Sequence, residues 1–188
     1  MLLPRLIVVG HGRHGKDTVC ELLRDAHNFT FESSSKFCSR LFIFNELKDT
    51  YGYTTEEECY ADRHNHRAKW FNLISRFCEP DAAKLGKAIF SEYDIYCGLR
   101  NKREFHAMKN QGVFDYAIWV DRSDHVEPEA KDSMSIEPWM TDFVIDNNRD
   151  EVALARNVDD LVKTILKKHP WCPAQIDNDL LQRHLLIG

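Results

Sequence analysis

Lys16 follows Gly15 and precedes Asp17 and Thr18 in the run GHGRHGKDT that begins at Gly10. Glycines at positions 10, 12 and 15 followed at once by a lysine have the spacing of a loop that cradles phosphate. The glycines let the main chain turn sharply and aim successive N–H groups inward, and a helix opening at the lysine adds its positive end. Lys16 then supplies a mobile point charge for β- and γ-phosphates. Gly10, Gly12, Arg13, Gly15, Lys16, Asp17 and Thr18 are thus the expected ATP-binding residues. The Ser or Thr that usually comes straight after the lysine is Asp17 here. A carboxylate is a hard oxygen ligand, so Asp17 and Thr18 are the expected partners of Mg²⁺, directly or through water.

Such a loop works only between a strand and a helix, and the flanks have that character. Residues 5–9 (RLIVV) are an apolar run of strand type, and residues 17–27 carry Val19, Leu22 and Leu23 on one helical face. A short strand is expected over 29–32. Helices follow over about 35–49, 55–76 and 80–91, interrupted at Gly52 and Pro80. Buried strands are expected at 94–99, 116–120 and 142–146, with helices at 102–111, ended by Gly112, and at 156–168. Strands alternating with helices imply an α/β fold, a parallel sheet covered on both faces. Residues 1–169 form the expected domain, with a helical acceptor-binding insertion at about 35–91 and an appendage at 170–188.

Ligands of such sheets bind at the carboxyl ends of the strands. Ser33 is placed either to hydrogen-bond an acceptor or to cap the next helix. Arg100 and Arg103 are placed to clamp a phosphate, or Arg103 simply pairs with Glu104. Asp121 suits a magnesium shell and Arg122 a lid arginine. Asp94, Asp121 and Ser33 are the candidates to orient the attacking oxygen, and Arg100 to neutralise transition-state charge. The densest group is DRHNHRAKWF at 62–71. Within one helix, Arg63, His66, Arg67 and Trp70 share a face, which suits an anionic, aromatic acceptor. The alternative is a solvated basic helix anchored through Trp70 and Phe71. The His-Asn-His triplet is not a metal site, because adjacent helical residues cannot all face one ion.

Composition narrows the classes. With 188 residues, 43% of them hydrophobic, the chain can bury a sizeable core. A net charge of −5 argues against sequence-blind adhesion to nucleic acid and confines any such contact to a local patch. Six cysteines without CxxC or metal-ligand spacing read as reduced thiols, and no apolar stretch is long enough to span a membrane. A cytoplasmic protein with no membrane partner is expected.

The motifs together resemble the deoxynucleoside monophosphate kinase family of large tailed phages and related phage P-loop kinases acting on modified pyrimidines. The resemblance is carried by GKDT at 15–18, by the strand leading into GLRNKRE at 98–104, and by Ser135-x-Glu137 before DFVIDN at 142–147. It implies a P-loop kinase fold, ATP and Mg²⁺ as cofactors, and a deoxypyrimidine acceptor. One implied acceptor is the hydroxymethyl group of 5-hydroxymethyl-deoxyuridine in phage DNA, on the way to hypermodified thymidine in the host cytoplasm. The other is a free deoxynucleoside monophosphate, converted to the diphosphate. Little room for a long lid exists between Val120 and Asp142, which favours the polymer. A P-loop protein that binds nucleotide without transferring phosphate is the remaining class.

Overall fold

The computed structural model describes residues 3–129 and 133–169. The apolar run before the glycines is β1 (Leu6–Val9), buried at every position. An unbroken apolar strand suits the middle of a parallel sheet, where helices cover both faces. β1 pairs with β3 (Ile95–Cys97) on one side and β4 (Tyr116–Asp121) on the other, while β2 (Phe31–Ser33) and β5 (Phe143–Asp146) form the edges. All pairs are parallel, in the order β2-β3-β1-β4-β5.

The pleat divides the core into two layers. Leu6 and Val8 pack with Val19, Leu23, Leu154 and Val158, under α1 (Lys16–His27) and α8 (Glu151–Lys168). Ile7 and Val9 pack with Phe37, Leu47, Trp70 and Phe105 on the opposite face. That second layer holds α2 (Ser34–Cys38), α3 (Phe44–Tyr51), α4 (Glu56–Asp62), α5 (Arg67–Cys78) and α6 (Lys84–Phe90), all between β2 and β3, and then α7 (Lys102–Asn110). A π-helical stretch, Ser39–Ile43, joins α2 to α3. This is a parallel α/β fold, with β1 running through the glycine loop into α1. Among the described residues no helix is long and apolar enough to cross a membrane, and Cys20, Cys38, Cys59, Cys78 and Cys97 are free and buried.

Three expectations change. The single helix over 55–76 is two, α4 and α5, because the Asp62 carboxylate gathers the Tyr53 hydroxyl, the Asn65 amide and His66 Nε2. Those side-chain bonds compete with the helical ladder, and residues 63–66 close into a turn of i→i+3 bonds instead. The last helix begins at Glu151 rather than 156, capped by Asp150, whose carboxylate accepts the Ala153 N–H at 2.8 Å. Asp94 precedes β3 and lies at its amino end, where its carboxylate accepts both the N–H and the hydroxyl of Thr30. The glycine loop leaves the carboxyl end of the parallel neighbour β1, so Asp94 is at the wrong end of the sheet to orient an attacking oxygen. The appendage expected at 170–188, with Cys172, lies outside the described residues.

Candidate functional site

The loop between β1 and α1 is shaped by close main-chain approach. A Cβ on Gly10 would stand 2.6 Å from the Val120 carbonyl oxygen, and one on Gly15, whose φ is +88°, would collide with the Asn147 side-chain amide. Arg13, with φ +63°, turns at the exposed apex of the loop. Lys16 opens α1, and its Nζ donates to the His11 carbonyl at 2.7 Å. Burial, and then the nearby Arg100 guanidinium, hold the Lys16 pKa below its ordinary value. The Asp17 and Glu129 carboxylates oppose that shift, and a polyphosphate in the loop would add its charge to theirs.

The connection from β4 to β5 folds down onto this loop. His14 is fully buried: its Nδ1 accepts the Arg122 N–H at 3.1 Å, so the ring carries its proton on Nε2 and donates it to the Val126 carbonyl at 3.1 Å. Asn147, just past β5, donates to the His14 carbonyl at 2.9 Å. His11 Nδ1 accepts the Glu129 N–H at 3.2 Å, and its ring meets the Trp119 ring edge-on. Burial, followed by the His14 ring, lowers the His11 pKa, which keeps that acceptor lone pair free.

Glu129 is the informative residue. Its Oε2 accepts the Gly12 main-chain N–H at 2.7 Å and a guanidinium N–H of Arg100 at 2.8 Å. Burial opposes its charge, but the Arg100 and Gly12 hydrogen bonds and the Arg100 and Lys16 charges outweigh it and lower its pKa. An anionic oxygen therefore already rests on the loop's own donor, between a lysine and an arginine.

No family model matches the chain, and no curated protein matches it in sequence. Among solved structures, a gluconokinase from Sinorhizobium meliloti 1021 is similar over 89% of this chain and 98% of that one, with 10% sequence identity and a TM-score of 0.42.

Residue by residue, the expected site divides. Gly10, Gly12, Arg13, Gly15, Lys16, Asp17, Thr18, Arg100, Asp121 and Arg122 all lie in the loop, in the first turn of α1 or at or just past the carboxyl ends of β3 and β4. The Asp121 carboxylate is occupied in a turn, accepting from Ser123 N–H and Oγ and from Asn148 Nδ2. Arg122 meets the loop through its main-chain N–H, and its Nε is buried without a partner among the described residues. Asp17 and Thr18 are exposed hard-oxygen donors, with Asp17 Oδ1 taking the Cys97 thiol at 3.4 Å. Asp17 and Thr18 would hold Mg²⁺, which would supply charge neutralisation for phosphate oxygens. Ser33 caps α2, its Oγ accepting the Lys36 N–H at 3.2 Å.

The basic group at 63–70 does not form one helical face. Arg63 lies over the Tyr60 ring at 3.9 Å, His66 pairs with Asp62 at 3.0 Å, and exposed Arg67 reaches His64. Trp70, 5% exposed, belongs to the core under α5 and cannot stack an acceptor base. Arg103 lines a cleft between α5 and α7. His11, His14, Glu129 and Asn147 were not foreseen. The imidazoles fill variable positions of the motif, and Glu129 has no local signal, since its role exists only through chain contact across more than a hundred residues.

Proposed function

We propose that the chain is an ATP-dependent phosphotransferase acting on a deoxypyrimidine acceptor. The observation that carries this is the carboxylate of Glu129 on the Gly12 N–H, with Arg100 bound to it and Lys16 beside it. A phosphate oxygen replacing that carboxylate would meet the same donors. Phosphoryl transfer needs positioning and charge neutralisation more than covalent help, and a glycine loop, a lysine and an arginine supply both.

For the acceptor, the first choice is the hydroxymethyl group of 5-hydroxymethyl-deoxyuridine within DNA. Its oxygen would attack the γ-phosphorus, forming the new P–O bond as ADP departs and the hydroxyl proton leaves to solvent or a nearby base. The β4–β5 connection supports this choice: among the described residues it carries only the short 3₁₀ turn Pro138–Met140, no helical lid, and so leaves room for a polymer. The basic turn at 63–67 offers exposed charge for backbone phosphates. A free deoxynucleoside monophosphate is the second choice, favoured by the cleft of about 460 Å³ between α5 and α7, a volume typical of small-molecule sites.

The test is γ-labelled ATP with Mg²⁺ against free deoxynucleoside monophosphates and against DNA containing thymine or 5-hydroxymethyluracil. Label retained only in the hydroxymethylated DNA is expected. Label in diphosphates selects the free nucleotide, and ATP binding with label in neither overturns phosphotransfer in favour of a non-catalytic nucleotide-binding protein.

A further inference from the structure

The cleft between the end of α5 and the start of α7 is lined by Ser75, Arg76, Cys78, Asn101, Arg103 and Glu104. α7 starts directly after Asn101, next to the Arg100 that reaches Glu129 over the glycine loop, so the cleft opens at the carboxyl edge of the sheet. Two features of its lining call for a ligand. Glu104 is half-buried on the cleft wall and makes no hydrogen bond or ion pair among the described residues, so its carboxyl is left to pair with what enters the cleft. The Arg103 guanidinium also lacks an ion-pair partner among the described residues, whereas Arg76 is held by Glu46 at 3.0 Å.

The surroundings of Glu104 decide its state. Arg103 on its own helix, Arg76 and Cys78 on α5, Glu79 just past its end, Tyr96 on β3 and Cys38 on α2 are the charged and titratable groups around it. Burial raises its pKa to about 7, with Arg103 opposing only in part. Burial, and then Glu104, push the Cys78 thiol up to about 11, so it stays protonated. A protonated carboxyl presents an O–H donor and a carbonyl acceptor side by side. That pair matches the O4 and N3–H edge of a thymine-type base, whereas an ionised carboxylate would set a negative oxygen against O4.

We infer that this cleft takes the pyrimidine of the acceptor, with Glu104 pairing to its N3–H and O4 edge and Arg103 facing its phosphate. The assignment rests on the phosphotransferase proposal for its purpose, but not for its detection, since binding is measured without transfer. α5 spans about 18 Å at 1.5 Å per residue, with the basic turn at one end and this cleft at the other. A base drawn out of a strand could enter the cleft while neighbouring phosphates meet the turn.

The experiment is calorimetric titration of the full chain, with ADP and Mg²⁺ present, using thymidine 5′-monophosphate as the probe. Wild-type affinity is expected to fall about tenfold from pH ~6 to pH ~8, as the carboxyl ionises. Glu104→Gln, whose amide keeps one donor and one acceptor, should bind without that loss. The phosphate of the probe titrates alike in both proteins and cancels from the comparison. Glu104→Leu should weaken binding about tenfold or more at both pH values. Absence of wild-type binding at millimolar probe overturns the assignment. So does a Glu104→Gln variant that tracks the wild-type pH dependence. If the probe binds as expected while no acceptor gains γ-label, the cleft assignment stands and the phosphotransferase proposal fails.

Discussion

The glycine loop and the basic turn between α4 and α5 are both rich in charge, yet they are built in opposite ways. The loop is tied to a distant part of the chain: His14 bridges Arg122 and Val126, His11 holds Glu129, and Asn147 holds the His14 carbonyl. The turn satisfies its side chains locally, Arg63 on Tyr60, His66 on Asp62 and Arg67 on His64. Charge held by buried, long-range contacts is preorganised and can stabilise a developing transition state. Charge on a solvated local turn is screened and attracts a polyanion without fixing one geometry. Under the proposed phosphotransferase reading, the first region would carry the chemistry and the second would capture the acceptor.

Substitutions can break that contrast, beginning with the most severe. Gly15→Ala places a methyl against the Asn147 amide at a positive φ; ATP affinity should fall at least about a hundredfold, with a stability loss of about 1–3 kcal/mol in denaturant titration. His14→Ala leaves the Arg122 N–H and Val126 carbonyl without their partner in a buried site. It should cost about 2–4 kcal/mol of stability and loosen the loop, read as a lower melting temperature and weaker ATP binding. Glu129→Ala removes the anion that rests on Gly12 and Arg100. ATP should then bind about three- to tenfold more tightly, because no internal carboxylate competes; unchanged or weaker affinity would show that Glu129 props the loop instead. Arg67→Ala should leave melting within about 0.5 kcal/mol and raise the acceptor Michaelis constant by less than about fivefold, with that of ATP unaltered. Equal effects on both constants would remove the turn from acceptor capture.

What was legible in the sequence follows the range of the interactions involved. β1, the loop and α1 were readable because strand burial, glycine spacing and a helix start are local properties of residues 5–27. The parallel layering was readable from alternation alone. The break at 63–66 was not, since it depends on Tyr53 reaching the Asp62 carboxylate across the α3–α4 corner. The last helix starts five residues before the expected 156 because Asp150 caps it, a side-chain-to-backbone bond that apolar periodicity does not register. Asp94 opens the strand expected at 94–99, and β3 begins just after it, so it stands at the amino end of the sheet, away from the loop that leaves the carboxyl end of β1. Glu104 lies in GLRNKRE, yet the cleft beside it exists only where the end of α5 stands opposite the start of α7.

The most direct measurement is transfer of γ-label from ATP with Mg²⁺ to hydroxymethylated DNA and to deoxynucleoside monophosphates, comparing wild type with Lys16→Ala. Among the described residues Lys16 Nζ hydrogen-bonds only the His11 carbonyl, so its removal should leave the melting temperature nearly unchanged. Wild-type transfer to one of these acceptors, with a drop of about a thousandfold in the variant, is the predicted result. A folded Lys16→Ala protein that transfers label as fast as wild type would contradict the assignment of this loop as the phosphoryl-transfer site.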